Sequence, residues 1–142
     1  MKKIREVLNS KGRDVLSIAP DATVYEAVTL MAGKGVGALL VMEGDRLVGL
    51  MGERDCLWKV MLEDRSPRET RVRQLMAKNI LCATPEQTVE EGMALMTDKR
   101  IRHLPVVKGD RVEGIISIGD LVKAIIAEQQ FVIEQLEHYV TS

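Results

Sequence analysis

The sequence repeats itself at a fixed offset. Pro20 recurs as Pro85, and the same step of sixty-five positions lays Thr23-Val24 on Thr88-Val89, Glu26 on Glu91, Leu30-Met31 on Leu95-Met96 and Lys34 on Lys99. It also lays Gly44-Asp45-Arg46 on Gly109-Asp110-Arg111, Gly49 on Gly114 and Asp55 on Asp120, so that Val15 to Met61 matches Ile80 to Ile126 without a gap. About a third of the paired positions are identical, and most others exchange one aliphatic side chain for another. An internal repeat fixes the architecture before any single element is read. Two copies are too few for a long solenoid. They predict two related halves closing about a pseudo-twofold axis, with clefts between them suited to a ligand.

Each copy carries the same order of local signals. Val15-Leu16-Ser17-Ile18 and Ile80-Leu81-Cys82-Ala83 read as short strands, each followed by a proline and an acidic residue. Thr23-x-x-Glu26 and Thr88-x-x-Glu91 are capping boxes, in which the hydroxyl and the carboxylate satisfy amide donors at a helix start. Behind them, Val24, Ala27, Val28 and Met31, and Val89, Gly92, Met93 and Met96, fall at the spacing of one buried helix face. Two apolar runs around Gly44-Asp45, and two around Gly109-Asp110, predict hairpins. A second helix closes each copy, over about residues 53–62 and from about Gly119 onward. The predicted class is α+β, two tandem β-α-β-β-α units. Residues 1–71 hold the first repeat with its linker, and 72–142 the second with an extended C-terminal helix. The charged stretch Glu63 to Arg71 reads as an exposed connector. Ile4 to Leu8 leads into the first repeat as Val72 to Met76 leads into the second. Past the repeat, Val132, Ile133, Leu136 and Val140 continue an apolar stripe, open to packing within the chain or against a second copy or another protein.

Bulk properties exclude several functions. A net charge of -1 leaves no basic surplus for phosphate backbones, and 3% aromatic residues give little surface for stacking bases, so nucleic acid is not expected as a partner. No apolar run approaches the roughly 20 residues that cross a bilayer, and no apolar stretch follows Met1-Lys2-Lys3 as in a signal peptide. Cys56 and Cys82 lack metal-ligand spacing and read as free thiols in a reducing cytoplasm. No metal is expected. An enzyme is not expected either: His103 and His138 have no nucleophile context, and neither a P-loop nor a GxGxxG occurs.

The β-α-β-β-α repeat, the segment Arg102-His103-Leu104-Pro105-Val106-Val107, the stretch Gly114-Ile115-Ile116-Ser117-Ile118-Gly119-Asp120-Leu121 and its counterpart Gly49-Leu50-Met51-Gly52-Glu53-Arg54-Asp55 resemble the cystathionine β-synthase (CBS) domain. The chain resembles a free-standing bacterial CBS pair, or Bateman module. The resemblance implies a regulatory module that binds an adenine nucleotide (AMP, ATP or NAD(H)) and transmits its occupancy to an unidentified regulated protein. The apolar C-terminal stripe, seeking a cover, predicts a homodimer. An S-adenosylmethionine sensor, or a structural dimerisation module without a physiological ligand, stands as the alternative.

By this resemblance, Asp55 and Asp120 are ribose-binding acids at the start of each closing helix, since a carboxylate can accept from both neighbouring hydroxyls. Ser117-x-x-Asp120 also satisfies a capping-box pattern, so Asp120 could hold only its own helix. Repeat one has Gly52 where Ser117 stands in repeat two, which weakens the Asp55 cleft or leaves room for a bulkier ligand. Arg102 and His103 are implied phosphate contacts for the Asp55 cleft, and Arg54 for the Asp120 cleft. Lys59 and Lys123 read as solvated. The adenine slot is implied between Ile18 and Ala19, Ala83 and Thr84, with Pro105 on a far wall.

Overall fold

The computed structural model describes residues 2–141. Its chain forms helices α1 (Ile4–Lys11), α2 (Val24–Lys34), α3 (Glu53–Leu62), α4 (Val72–Leu75), α5 (Val89–Lys99) and α6 (Ile118–Thr141). Its strands are β1 (Ser17–Ile18), β2 (Ala38–Glu43), β3 (Arg46–Gly52), β4 (His103–Lys108) and β5 (Arg111–Ser117). This is the α+β class expected. The chain divides into two compact units, residues 15–81 and residues 1–14 with 82–142.

In the 15–81 unit, β1 pairs parallel to β2, and β2 antiparallel to β3. Val24, Ala27 and Met31 of α2 pack on Leu39, Val41 and Met51 of this sheet, with Cys56 of α3 and Leu75 of α4 completing the core. The second unit repeats the plan with β4 antiparallel to β5, and Val89 and Met96 of α5 packed with Leu104, Val106, Ile116 and Leu121. Both hairpins shift register at equivalent places, after Val41 and after Val106. Both turn through a glycine with positive φ, Gly44 at 62° and Gly109 at 61°. The left-handed conformation tolerates glycine without steric cost, which is what the Gly-Asp signal anticipates.

Thr23 and Thr88 cap α2 and α5, each hydroxyl accepting a 3.1 Å bond from the amide of Glu26 or Glu91. Among the described residues the reciprocal glutamate bond forms at Thr88 and not at Thr23.

Two expectations are corrected. Ile80 to Ala83 does not form a strand. It is reduced to one parallel bridge, Ala83 to Val106, in which the Ala83 amide donates to the Pro105 carbonyl (2.8 Å) and its carbonyl accepts from Val107 (2.9 Å). Glu63 to Arg71 is not wholly exposed. Thr70 is buried, its hydroxyl donates to the Ser66 carbonyl, and the carbonyls of Pro67 and Thr70 receive the first free amides of α2 from Tyr25 and Val24.

The leading helices are exchanged between the two bodies. α1 docks on the body of repeat two, where Ile4 and Leu8 are fully buried with Leu104 and Ile116. α4 docks on the body of repeat one. The bonds are equivalent: Ile4 N to Gln87 O matches Val72 N to Ala22 O, and Arg5 N to Pro85 O matches Arg73 N to Pro20 O. The paired glycines explain the fit. A Cβ on Gly114 would lie 2.8 Å from Leu8 Cδ2, and one on Gly49 would lie 2.5 Å from Met76 Sδ. The absence of a side chain on the fourth residue of β3 and of β5 opens the notch each leader fills. Compact units and sequence repeats are thus different divisions of the chain.

Among the described residues nothing covers the C-terminal stripe. Phe131, Val132, Ile133, Leu136, Tyr139 and Val140 are all exposed, whereas Leu121 and Ala124, two turns earlier on α6, are buried.

Candidate functional site

Helix α6 starts where β5 ends, and its first turn is fixed from two sides. The Ile118 amide donates to the Arg102 carbonyl at 2.9 Å. The Ser117 amide donates to Asp120 Oδ2 at 2.8 Å, and the Asp120 amide to Ser117 Oγ at 3.1 Å. The capping box that Ser117-x-x-Asp120 suggests is therefore formed. His103 pairs with Ser117 across the β4–β5 hairpin, so Arg102, His103, Ser117 and Asp120 converge on one end of the sheet.

Asp120 has a further partner that the sequence does not signal. Lys11, at the last turn of α1, reaches its Oδ2 with Nζ at 2.6 Å and donates also to the Ile115 carbonyl at 2.8 Å. Burial pushes the Asp120 carboxyl toward the neutral form. The ammonium of Lys11 and the Ser117 bonds outweigh it, and its pKa lies below the ordinary carboxylate value. A cavity of about 370 Å³ opens beside it, lined by Lys2, Val7, Ser10, Lys11, Asp120 and Lys123. Lys123, read from sequence as solvated, is exposed but stands on this cavity one turn from Asp120. Lys11 and Lys2 escape sequence reading because α1 belongs spatially to the other repeat.

The remaining residues of this unit frame the sheet. Ala83 is fully buried core, Pro105 is buried and holds the Ala83 amide, and Thr84 is exposed with its amide on Gln87 Oε1 at 2.9 Å. Arg102 is exposed and His103 half-buried.

In the 15–81 unit the same helix start is looser. The Glu53 amide donates to the Gly37 carbonyl at 3.0 Å, as Ile118 does to Arg102. Gly52 gives α3 no side-chain cap, and Asp55 is exposed. Arg54 is exposed and lies over the Trp58 ring, 5.4 Å from its centroid. Ile18 is half-buried in β1 and Ala19 exposed beyond it. A separate groove of about 490 Å³ between α2 and α3 is lined mainly by apolar side chains, among them Tyr25, Val28, Met31, Cys56 and Leu57. Burial, with help from the Asp55 charge, pushes the Cys56 thiol up to about 11, so it is a packing group and not a nucleophile at neutral pH. No cluster of three or more histidine, cysteine, aspartate or glutamate residues among the described residues could hold a metal ion. No helix of the described residues is long and apolar enough to cross a membrane.

Comparison with known proteins agrees with the repeat. The model of the CBS domain matches residues 4–61 and 72–127. A mitochondrial CBS domain-containing protein of Arabidopsis thaliana, CBSX3, is 39% identical over 146 aligned positions, covering 96% of this chain and 71% of its own. The structure of a protein with CBS domains from Burkholderia ambifaria superposes with a TM-score of 0.86 at 44% identity, covering 90% of this chain and 96% of that one. The CBS domain pair of protein MJ0100, solved in complex with 5'-methylthioadenosine and S-adenosyl-L-methionine, shares the fold at a TM-score of 0.79 and 18% identity, over 90% of this chain and 98% of that one. Two matched repeats, together spanning most of the residues, make this chain a member of the CBS domain family, carrying one CBS pair.

Proposed function

We propose that this CBS pair is a regulatory module that binds an adenine nucleotide without altering it and passes its occupancy to a partner protein. The observation that carries the reading is the Asp120 carboxylate. It is held ionised at a helix start, on the wall of a cavity large enough for a small ligand. A carboxylate so placed can accept from ribose hydroxyls, and the adjoining α6 terminus offers amide dipoles to ligand oxygens. The adenosyl ligands of the MJ0100 pair support the class of ligand. AMP, ATP and NAD(H) are the nucleotides proposed. Ser117 and Asp120 form the principal site with Ala83, Thr84 and Pro105 about the base. Asp55 with Ile18 and Ala19 forms a weaker one, because Gly52 supplies no hydroxyl. Arg54, Arg102 and His103 are the proposed phosphate contacts.

Such a module signals only through unequal affinity for two states. The proposed state is a homodimer, supported by the exposed apolar face of α6 and by Leu57, Trp58, Met61 and Leu62 of α3, which stand in water in the single chain.

The test is calorimetric titration of AMP, ATP and NADH into the wild type and Asp120→Ala. Loss of a charged hydrogen-bonding group should weaken binding by one to two decades, about 1.5–3 kcal/mol. Unchanged affinity accompanied by a large drop in thermal stability would return Asp120 to plain helix capping.

A further inference from the structure

The cavity beside Asp120 has a charge balance that a ribose-binding carboxylate alone would not require. Its wall carries three ammonium groups, Lys2, Lys11 and Lys123, against one carboxylate. The groups come from three places in the sequence: the segment before α1, the last turn of α1, and the second turn of α6. Only the docking of α1 on the body of repeat two brings them together.

The single carboxylate is already balanced. Lys11 Nζ lies 2.6 Å from Asp120 Oδ2, and its bond to the Ile115 carbonyl fixes the ammonium in place. An ammonium has three donors. Two of those on Lys11 are spent, and the third remains for a ligand. With Asp120 neutralised by Lys11, the charges of Lys2 and Lys123 face the cavity without a salt bridge among the described residues. Among the described residues Lys2 also reaches no carboxylate elsewhere: the 3.8 Å pair with Glu86 belongs to Lys3. A cavity of this polarity attracts anions and repels cations, the more so because its low-dielectric walls concentrate the field.

We infer that the Asp120 cavity selects its ligand by charge: it takes a phosphorylated nucleotide, with the phosphate received by Lys2, Lys11 and Lys123, and rejects the cationic S-adenosylmethionine. This inference rests on the nucleotide reading above and narrows it. It places phosphate contacts within one compact unit, on lysines that supplement the arginines. Lys11 then serves as a positioning residue for Asp120 and as a phosphate donor at once.

The experiment titrates four probes, AMP, adenosine, S-adenosylmethionine and inorganic pyrophosphate, into the full chain and into Lys11→Met and Lys123→Met. Wild type should bind AMP at least about tenfold more tightly than adenosine, since the added contacts are charge-assisted. S-adenosylmethionine should bind more weakly than adenosine. Each methionine variant should cut the AMP-over-adenosine ratio by about three- to tenfold, and raising the salt should shrink it in wild type. Lys123 is exposed and makes no bond to Asp120, so Lys123→Met reads the charge even if Lys11→Met loosens α1. A ratio unchanged in both variants, or S-adenosylmethionine binding as tightly as AMP, overturns the inference. Adenosine binding that depends on Asp120, with AMP no better, would leave the nucleotide reading standing and remove charge selection. Pyrophosphate binding that weakens in the lysine variants, with no response to adenosine or AMP, would leave the anion cavity standing and remove the nucleotide.

Discussion

The exchange of leading helices makes a prediction about coupling between two residues far apart in sequence. Leu8 is fully buried on the body of repeat two, and a Cβ on Gly114 would approach its Cδ2 to 2.8 Å and its Cδ1 to 3.5 Å. Leu8→Ala removes three buried carbons. At about 0.8 kcal/mol each, the transfer loss is about 2.4 kcal/mol, and the unfilled space carries the total to about 3–4 kcal/mol. Gly114→Ala in wild type forces Leu8 off its place in a filled core, at about 1–3 kcal/mol. In the Leu8→Ala background the obstructing methyls are gone, and the new methyl occupies part of the cavity. Gly114→Ala should then be neutral or stabilising, by up to about 1 kcal/mol, because alanine restricts the unfolded chain more than glycine does. The double-mutant cycle, measured by urea unfolding, should therefore show a favourable interaction of about 1–4 kcal/mol. Additive costs, agreeing within about 0.5 kcal/mol, would refute the docking of α1 on β5.

Two further outcomes follow from the same structure. The pKa of Asp120 is lowered in the folded chain, so its ion pair with Lys11 stabilises the fold above the ordinary carboxylate value and is lost as the pH falls through the lowered one. The stability difference between wild type and Asp120→Asn should be flat from pH 8 to about pH 5 and shrink below about pH 4, by chemical unfolding at each pH; a difference that stays constant down to pH 2.5 would refute the pairing. The exposed apolar faces of α3 and α6 should hold two chains together, and light scattering should give twice the 15.8 kDa of one chain; that single-chain mass at all concentrations would refute the dimer.

Most of the fold was legible because its signals are local and occur twice. Thr23 and Thr88 mark helix starts, Gly44 and Gly109 mark turns, and the apolar spacing of α2 and α5 marks buried faces, all as found. The first strand of repeat two was not legible, because the pairing that makes a strand depends on the neighbouring chain as well as on β-prone residues. Cys82 and Leu81 keep the composition but only Ala83 reaches β4. The docking of the leaders was not legible for a related reason. Ile4, Val7 and Leu8 announce an apolar helix face, yet nothing in that spacing says which body will bury it; the answer lies in the missing side chain of Gly114. At the site, Ser117 and Asp120 were legible as a motif. Lys11 was not, since its place beside Asp120 follows from the exchange and not from any local pattern.

The exchange also orders the birth of the molecule on the ribosome. Residues 15–81 are contiguous and hold every strand and helix of their unit, so that unit is complete in the chain before residue 82 is joined. The first fourteen residues must wait, since their binding surface is encoded last. Closing the intervening loop costs only a few kcal/mol more than closing a short one, but during the delay Ile4, Val7 and Leu8 face water at translation rates of 5–20 residues per second. A neighbouring nascent chain that has already made residues 82–124 offers the same notch. The first helix of one chain then has a second surface of identical make on which to dock while its own is still being made, which is the condition under which an element can be exchanged between copies.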